Sequence, residues 1–252
     1  MQGLDDARRL LAGSRQAVAF TGAGVSTASG VPDFRSPGGI WSRYRPVALP
    51  EFLASEEARR RYWLYKKETY AAFAHARPNA AHAALARLES GGRLLGVITQ
   101  NIDGLHQEAG SRKVVELHGT NRRWECLGCG DTGPAAEVQA RLLAGEEVPT
   151  CARCGGPLKA ATISFGQALR PEVLEDAFAL ARAADLLLVL GSSLVVYPAA
   201  AIPETVAARG APMVIINREP TPLDGLAAVA VQGEVERLLP LLLEHTEGAG
   251  SP

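Results

Sequence analysis

The sequence predicts an α/β fold, with a parallel sheet covered by helices on both faces. Three observations predict it. The strand candidates "QAVAFTGAG" (16–24), "RLLGVITQN" (93–101), "DLLLVLGSS" (185–193) and "APMVIIN" (211–217) are built on unbroken apolar runs, as strands buried on both faces are. Helical patterns separate them, the alternation typical of α/β proteins. The runs end in small or polar residues: TGAG, TQN, GSS and IN. An open α/β sheet binds ligands outside the carboxyl ends of its strands, so four such ends suggest one shared nucleotide pocket.

In chain order, "LDDARRLLAGS" (4–14) reads as an amphipathic helix, and 16–24 as a strand running into a glycine turn. "VSTASG" (25–30) looks like the start of a helix. Residues 31–50 are proline-rich, with three aromatics among polar residues, and read as a long loop of the kind that often carries function. Residues 51–75 are helical by pattern. "PNAAHAALARLESGG" (78–92) is a helix with Pro-Asn at its start and Gly-Gly at its end. After the strand at 93–101, "DGLHQEAG" (103–110) starts a helix and "KVVELHG" (113–119) is another strand. Residues 121–158 are Cys- and Gly-rich with little apolar periodicity. Residues 170–184 form a helix with Pro171 in its first turn. Residues 199–210 and 234–245 read as helices, and 247–252 as a disordered tail.

A chain of 252 residues can bury most of its apolar surface in one or two domains. Its 47% hydrophobic and 21% charged content is that of a globular protein. The formal net charge of −1 gives no global field that would steer it to nucleic acid or an acidic membrane surface. "EEARRRYWLYKKE" (56–68) interleaves acids and bases and reads as a solvated helix face. Asp5, Asp6, Arg8 and Arg9 fall where a signal peptide needs an apolar core. The longest apolar stretch, 184–203, is interrupted by Asp185, Gly191, Ser192, Ser193 and Pro198, whereas a membrane helix needs about 20 mostly apolar residues. A cytoplasmic setting with reduced thiols is expected.

The motifs differ in weight. Cys126, Cys129, Cys151 and Cys154 form two C-x2-C pairs with 21 residues between them, and they are all the cysteines in the chain. Four thiolates suit tetrahedral zinc and leave no open coordination position, so the metal reads as structural. "GAGVST" (22–27) matches G-x-G at Gly22 and Gly24 but has Thr27 at the third glycine position, and the acid expected about 20 residues on is absent. Alone it reads equally as a strand-to-helix turn or as a pyrophosphate cradle. "TQNIDG" (99–104) reads alone as an Asn/Asp turn, though its side chains could grip ribose hydroxyls. His106 reads as a surface or packing residue. His118, at a strand end, faces the rim of the pocket, where a neutral imidazole can act as general base. "GSSLVVYPAA" (191–200) lacks a G-x-S-x-G elbow, which argues against a serine nucleophile.

Together these pieces resemble the sirtuins, NAD-dependent protein-lysine deacylases. The matching stretches are "TGAGVSTASGVPDFRSPGGIW" (21–41), "TQNIDGLHQEAG" (99–110), "ELHGT" (116–120), the four cysteines, "SFGQ" (164–167), "GSSLVVYPAA" (191–200) and "IIN" (215–217), in family order over nearly the whole chain. The resemblance implies a Rossmann-like NAD-binding domain (1–34, 76–119 and 159–246). It also implies a smaller domain formed by two insertions: a cofactor loop with helices (35–75) and a zinc-ribbon-like module (120–158).

It further implies roles. Gly22, Ala23, Gly24 and Thr27 would cradle the NAD phosphates. Asp33, Phe34 and Arg35 would belong to the cofactor loop, with Phe34 screening the nicotinamide ribose. Gln100 and Asn101 would hold the ribose, and Ile102 and Asp103 the carboxamide. His118 would be the base, with Asn101 beside it in catalysis. Gly191, Ser192, Ser193 and Asn217 would meet the adenosine half, with Glu234 near the last adenine contact. The peptide would lie as a strand between 164–167 and 194–196, with Ile163, Phe165, Gly166, Leu194 and Val195 as contacts. Expected products are free lysine, nicotinamide and O-acetyl-ADP-ribose. Expected partners are acetyl-lysine proteins or peptides, met by a monomer, with no nucleic acid or membrane. Gln167 stands where the family often has Glu, and "ISFG" (163–166) where several members have Val-Phe-Phe-Gly; both bear on peptide preference. Trp63 and Lys66 align with a Tyr and an Arg that select acidic acyl groups. Deacetylation is therefore favoured, with desuccinylation, demalonylation, mono-ADP-ribosyl transfer and non-enzymatic NAD sensing as alternatives.

Overall fold

The structure, a computed structural model, describes residues 2–33 and 39–243, with the side chain of Trp41 excluded. The chain opens with helix α1 (Gln2–Gly13) and strand β1 (Ala17–Thr21), followed by helices α2 (Leu49–Ala54), α3 (Glu56–His75) and α4 (Ala80–Ser90). Next come β2 (Leu94–Thr99), the single-turn α5 (Leu105–Glu108) and strands β3 (Val114–Glu116), β4 (Gly119–Cys126) and β5 (Thr132–Pro134). Helix α6 (Ala135–Leu143), β6 (Leu158–Thr162), α7 (Pro171–Ala183), β7 (Leu186–Leu190) and α8 (Ala201–Ala208) lead to β8 (Met213–Asn217), β9 (Val229–Gln232) and α9 (Val235–Leu243).

Six strands form one parallel sheet in the order β3-β2-β1-β7-β8-β9. That is the doubly wound order, with its topological switch between β1 and β7, where such sheets bind ligands. The central strands carry no polar face because both faces are covered. Ala17, Ala19, Leu186, Leu188 and Leu190 pack with Leu11 of α1, Leu85 of α4 and Leu239 of α9. Val18, Phe20, Leu187 and Val189 pack on the other face with Leu180 of α7 and Ile202 of α8. A second, antiparallel sheet has the order β5-β4-β6. It shares a core with the inserted helices: Phe52, Tyr62 and Trp63 pack with Val138, Leu142, Leu158, Cys126 and Cys151. Among the described residues no helix is long and apolar enough to cross a membrane.

Several elements differ from expectation. "VSTASG" forms two 3-10 turns, Ala23–Val25 and Thr27–Ser29, instead of an α-helix. The Asn79 side chain takes the Val25 carbonyl at 2.8 Å, which a helix would need for its own ladder. The 51–75 helix is split at Ser55, whose backbone is extended and whose hydroxyl accepts from Ala58 N at 3.3 Å to cap α3. Strand β5 and helix α6 emerge within 121–158, where apolar periodicity is slight, and strands β6 and β9 from stretches in which the sequence reading places no element. The end of the 234–245 helix and the 247–252 tail lie outside the described residues.

Candidate active site

The loop that leaves β1 and the loop that leaves β7 meet backbone to backbone. A side chain on Gly22 would come within 2.7 Å of the Gly191 carbonyl oxygen, and one on Gly24 within 2.8 Å of Gly191 Cα. Gly191 itself has a φ of +59°. These glycines therefore serve a loop–loop closure as much as any approach to a ligand. The closure forms the floor of a cavity of about 1000 Å³ at the carboxyl ends of the sheet.

The cavity gathers most of the expected site. Gly22, Ala23, Gly24, Thr27 and Asp33 line it from the β1 side; Gln100, Asn101 and Ile102 from β2; His118 from β3. Gly191, Ser192 and Ser193 come from β7, and Asn217 and Glu234 from β8 and the start of α9. Ile163, Phe165 and Gly166 line it too. Leu194, buried, and Val195, 53% exposed, are not in the lining. Phe34 and Arg35 lie outside the described residues. Gln100 Nε2 donates to Ser192 Oγ at 2.8 Å, tying two strand ends together across the switch point.

Beneath the cavity lies a polar cluster that sequence reasoning did not assemble. Asp103 is 3% exposed and not in the lining. Its carboxylate accepts from Ser26 Oγ at 2.7 Å and from Leu105 N at 2.9 Å. Ser26 Oγ in turn accepts from Asn101 Nδ2 at 3.1 Å and stands 3.4 Å from His82 Nε2. His82 Nδ1 accepts from Asn79 N at 3.3 Å, which places the His82 proton on Nε2, toward Ser26. Burial holds His82 neutral, down to about 4. The Asn101 amide also donates to the Gly22 carbonyl at 3.1 Å. His82, inside a helix of small apolar residues, gave no sequence signal beyond being one polar position on a buried face. His106 is buried as well, 1% exposed and not on the surface.

His118 ends the cavity's inner wall. Its Nδ1 lies 2.9 Å from the Gln100 carbonyl oxygen, so Nδ1 carries the proton and donates, and Nε2 carries the lone pair. The His118 carbonyl accepts from Ile163 N at 2.8 Å, linking this residue to the strand end beside Phe165. Gly119 follows with a φ of +70°, and a Cβ there would fall 2.2 Å from the Ala161 carbonyl oxygen. The turn that presents His118 thus requires glycine.

The helical insertion adds residues that sequence reasoning placed only in part. Lys66 lines the cavity with Tyr62 and Tyr65, whereas Trp63 is buried in the small-domain core. Lys66 Nζ donates to Asn121 Oδ1 at 2.8 Å and lies over the Tyr62 and Tyr65 rings, 5.6 and 5.2 Å from their centroids. Burial, then the nearby Lys159, pulls its ammonium down to about 7. The i, i+4 spacing of Tyr62 and Lys66 puts them on one helix face, a signal readable once α3 is known to begin at Glu56. Two residues of β4 then grip the β2 loop: Asn121 N donates to the Ile102 carbonyl at 2.8 Å and Arg122 Nε to the Asp103 carbonyl at 2.6 Å.

The four cysteine Sγ atoms lie within 4.8 Å of one another. Gly128 N and Gly156 N donate to Cys126 and Cys154 sulfurs at 3.4 Å, the knuckle geometry that steadies thiolates. An all-thiolate set of this size fits a tetrahedral zinc ion with no open position.

These features can be compared with known proteins. The Sir2 family model matches residues 22–198. NAD-dependent protein deacetylase 2 of Streptomyces coelicolor is 47% identical over 230 residues, covering 89% of this chain and 95% of that protein. NAD-dependent protein deacylase 2 of Pyrobaculum aerophilum is 46% identical over 244 residues, 94% of each. Among solved structures, a Sir2 enzyme with a deacetylated p53 peptide and 3'-O-acetyl-ADP-ribose superposes with a TM-score of 0.89 at 38% identity, covering 98% of this chain and 99% of that one. A Sir2 complex with p53 peptide and NAD+ gives 0.88 at 37% identity, covering 96% and 97%. With its doubly wound sheet, four-cysteine module and cavity at the switch point, this chain belongs to the Sir2 family.

Proposed function

We propose that this chain is an NAD-dependent protein-lysine deacetylase, releasing nicotinamide and moving the acetyl group from lysine to ADP-ribose. The observation that carries this is His118, oriented by the Gln100 carbonyl in the same cavity as the glycine turn of 22–27 and the Ser192–Ser193 loop. NAD, when bound, supplies a ribose carbon that loses nicotinamide and accepts the acyl oxygen of the substrate. The chain's own groups do the rest. Backbone amides of 22–24 and the Thr27 hydroxyl are placed to hold phosphate, and Ser193, Asn217 and Glu234 to hold the adenosine half. Gln100 and Asn101 are placed to hold the reacting ribose beside His118, whose Nε2 takes a proton from a ribose hydroxyl, and Ile102 to meet the carboxamide. Phe165, half exposed, and Val196 line the same cavity and are placed to meet an extended peptide. Cys126, Cys129, Cys151 and Cys154 would hold zinc, which would brace the small domain and take no part in this chemistry. The four-cysteine cluster, suited to zinc and needing reduced thiols, fits a cytoplasmic enzyme.

Lys66 bears on acyl preference. A fully charged cation in the cavity would favour succinyl or malonyl groups, but Lys66 is spent on Asn121 and held near neutrality, which favours acetyl. Mass spectrometry of products from acetyl-, succinyl- and malonyl-lysine peptides with NAD tests the assignment. The expected products are deacetylated peptide and O-acetyl-ADP-ribose in equal amounts. ADP-ribose retained on protein, with no deacylated peptide, would replace the proposal with mono-ADP-ribosyl transfer.

A further inference from the structure

His106 sits on α5 beneath the cavity, and its two ring nitrogens are treated differently. Nε2 lies 3.0 Å from Thr21 Oγ1. Among the described residues, no hydrogen-bond partner reaches the buried Nδ1. Desolvation and the neighbouring His82, with ring centroids 4.8 Å apart, pull His106 down to about 3, so the ring is neutral at working pH. A neutral imidazole has one N–H to place. On Nδ1 it would be a buried, unsatisfied donor; on Nε2 it donates to Thr21 and leaves only a lone pair unmet, the lesser cost.

The direction of every following bond is then set. Thr21 Oγ1 donates to Thr99 Oγ1 at 2.8 Å. Thr99 Oγ1 also accepts from the backbone N–H of Asn101 at 3.0 Å. Thr21 and Thr99 are the last residues of β1 and β2 and are paired in register. The chain therefore runs across two strand ends directly under the 101–103 turn. His82 and Ser26 grip the side chains of that turn, Asn101 and Asp103; the His106 chain grips its backbone. We propose that His106 is a positioning residue for the deacylation reaction, fixing the Asn101 turn through Thr21 and Thr99. This rests on the reading that the turn faces the nicotinamide ribose.

The test uses the full chain and five variants: His106→Gln, His106→Asn, Thr21→Val, the double variant His106→Asn/Thr21→Val, and Asn101→Ala as a reference. The amide nitrogen of Gln reaches where Nε2 lies, whereas that of Asn reaches only Nδ1. His106→Gln is expected to stay close to wild type. His106→Asn and Thr21→Val are each expected to lower kcat/KM for NAD by about tenfold, the scale of one buried hydrogen bond. The loss is expected in kcat, with the peptide KM unchanged, and the double variant is expected to be no worse than either single one. A merely structural role would lower the melting temperature of the Gln and Asn variants alike, and the losses would add. Additive losses, or wild-type activity in His106→Asn and Thr21→Val, overturn the proposal. If His106→Asn does not fold, Thr21→Val set against His106→Gln reads the same chain. An active Asn101→Ala sinks the reading of the site itself. An inactive Asn101→Ala beside a fully active Thr21→Val sinks only the role of His106.

Discussion

At the scale of single residues, the question at His118 is which nitrogen holds the lone pair, and the Gln100 carbonyl decides it. Replacing His118 with Ala is expected to lower kcat by about 10²- to 10⁴-fold, the usual worth of a general base. NAD affinity and melting temperature are expected to stay near wild type, because His118 is one wall of a large cavity; isothermal titration and calorimetry check both. Lys66 carries a second prediction. Its ammonium is held down to about 7, so it gains charge as pH falls from 8 to 6. The ratio of succinyl to acetyl kcat/KM is therefore expected to rise on acidification, and Lys66→Met to flatten that trend. A ratio independent of pH in the wild-type protein would remove Lys66 from acyl selection. His118 was legible in the sequence because a strand end points it at the shared rim. His106 reads in sequence as a surface or packing residue, and its burial decides for packing; a four-residue helix is too short for the pattern to show which face turns inward. Trp63 and Lys66 were paired by alignment, and only the helix face separates them: one faces the small-domain core, the other the cavity.

At the scale of elements, the loops after β1 and β7 depend on each other. Gly24→Ala would push a methyl group into the Gly191 backbone, which cannot move aside like a side-chain tip. A cost of about 1–3 kcal/mol is expected for such overpacking, which is about 2–4 °C of melting temperature per kcal/mol in a chain of this size. NAD affinity is expected to fall with it, since the same closure forms the cavity floor. The zinc module is coupled to the site by a different route. Cys126 and Cys151 belong to the core that includes Phe52, Trp63 and Leu142, and β4 holds the carbonyls of Ile102 and Asp103. Close to one zinc per chain is expected by metal analysis. Chelation or Cys126→Ala is expected to abolish hydrogen-exchange protection in β4–β6 and α6 while β1, β7 and β8 stay protected. Uniform protection in metal-free protein would contradict this. The central strands were legible because burial on both faces writes an unbroken apolar run. Helix α6 was not, since only Val138 and Leu142 of its nine residues are buried. Strand β9 was missed because its burial alternates half-buried and exposed over only four residues.

At the scale of the whole molecule, the buried histidines make stability depend on pH. His82 and His106 are held neutral by burial, at about 4 and about 3, against an ordinary value of 6.5. Between pH 6.5 and 4 the unfolded chain binds protons at these two positions and the native state does not, so stability falls as pH falls. Each site contributes up to about 1.4 kcal/mol per pH unit in that window. The two chains of hydrogen bonds under the Asn101 turn are therefore intact at neutral pH and lose stabilising weight on acidification. Glu116 acts oppositely: burial raises its carboxyl, so native protein gains a proton there first and gains stability as pH falls through that range. Asp185 is held low, and its contribution is lost only below its ordinary range, under the histidine window. Urea midpoints measured from pH 7 down to 5 isolate the histidine effect. The wild-type chain is expected to lose stability steadily across that range, and His106→Gln to lose it with a slope shallower by about one proton, near 1.4 kcal/mol per pH unit at full difference. Equal slopes for the two proteins would mean that His106 takes up protons alike in the native and unfolded chains, and its hydrogen-bond direction toward Thr21 would no longer be set by a ring held neutral.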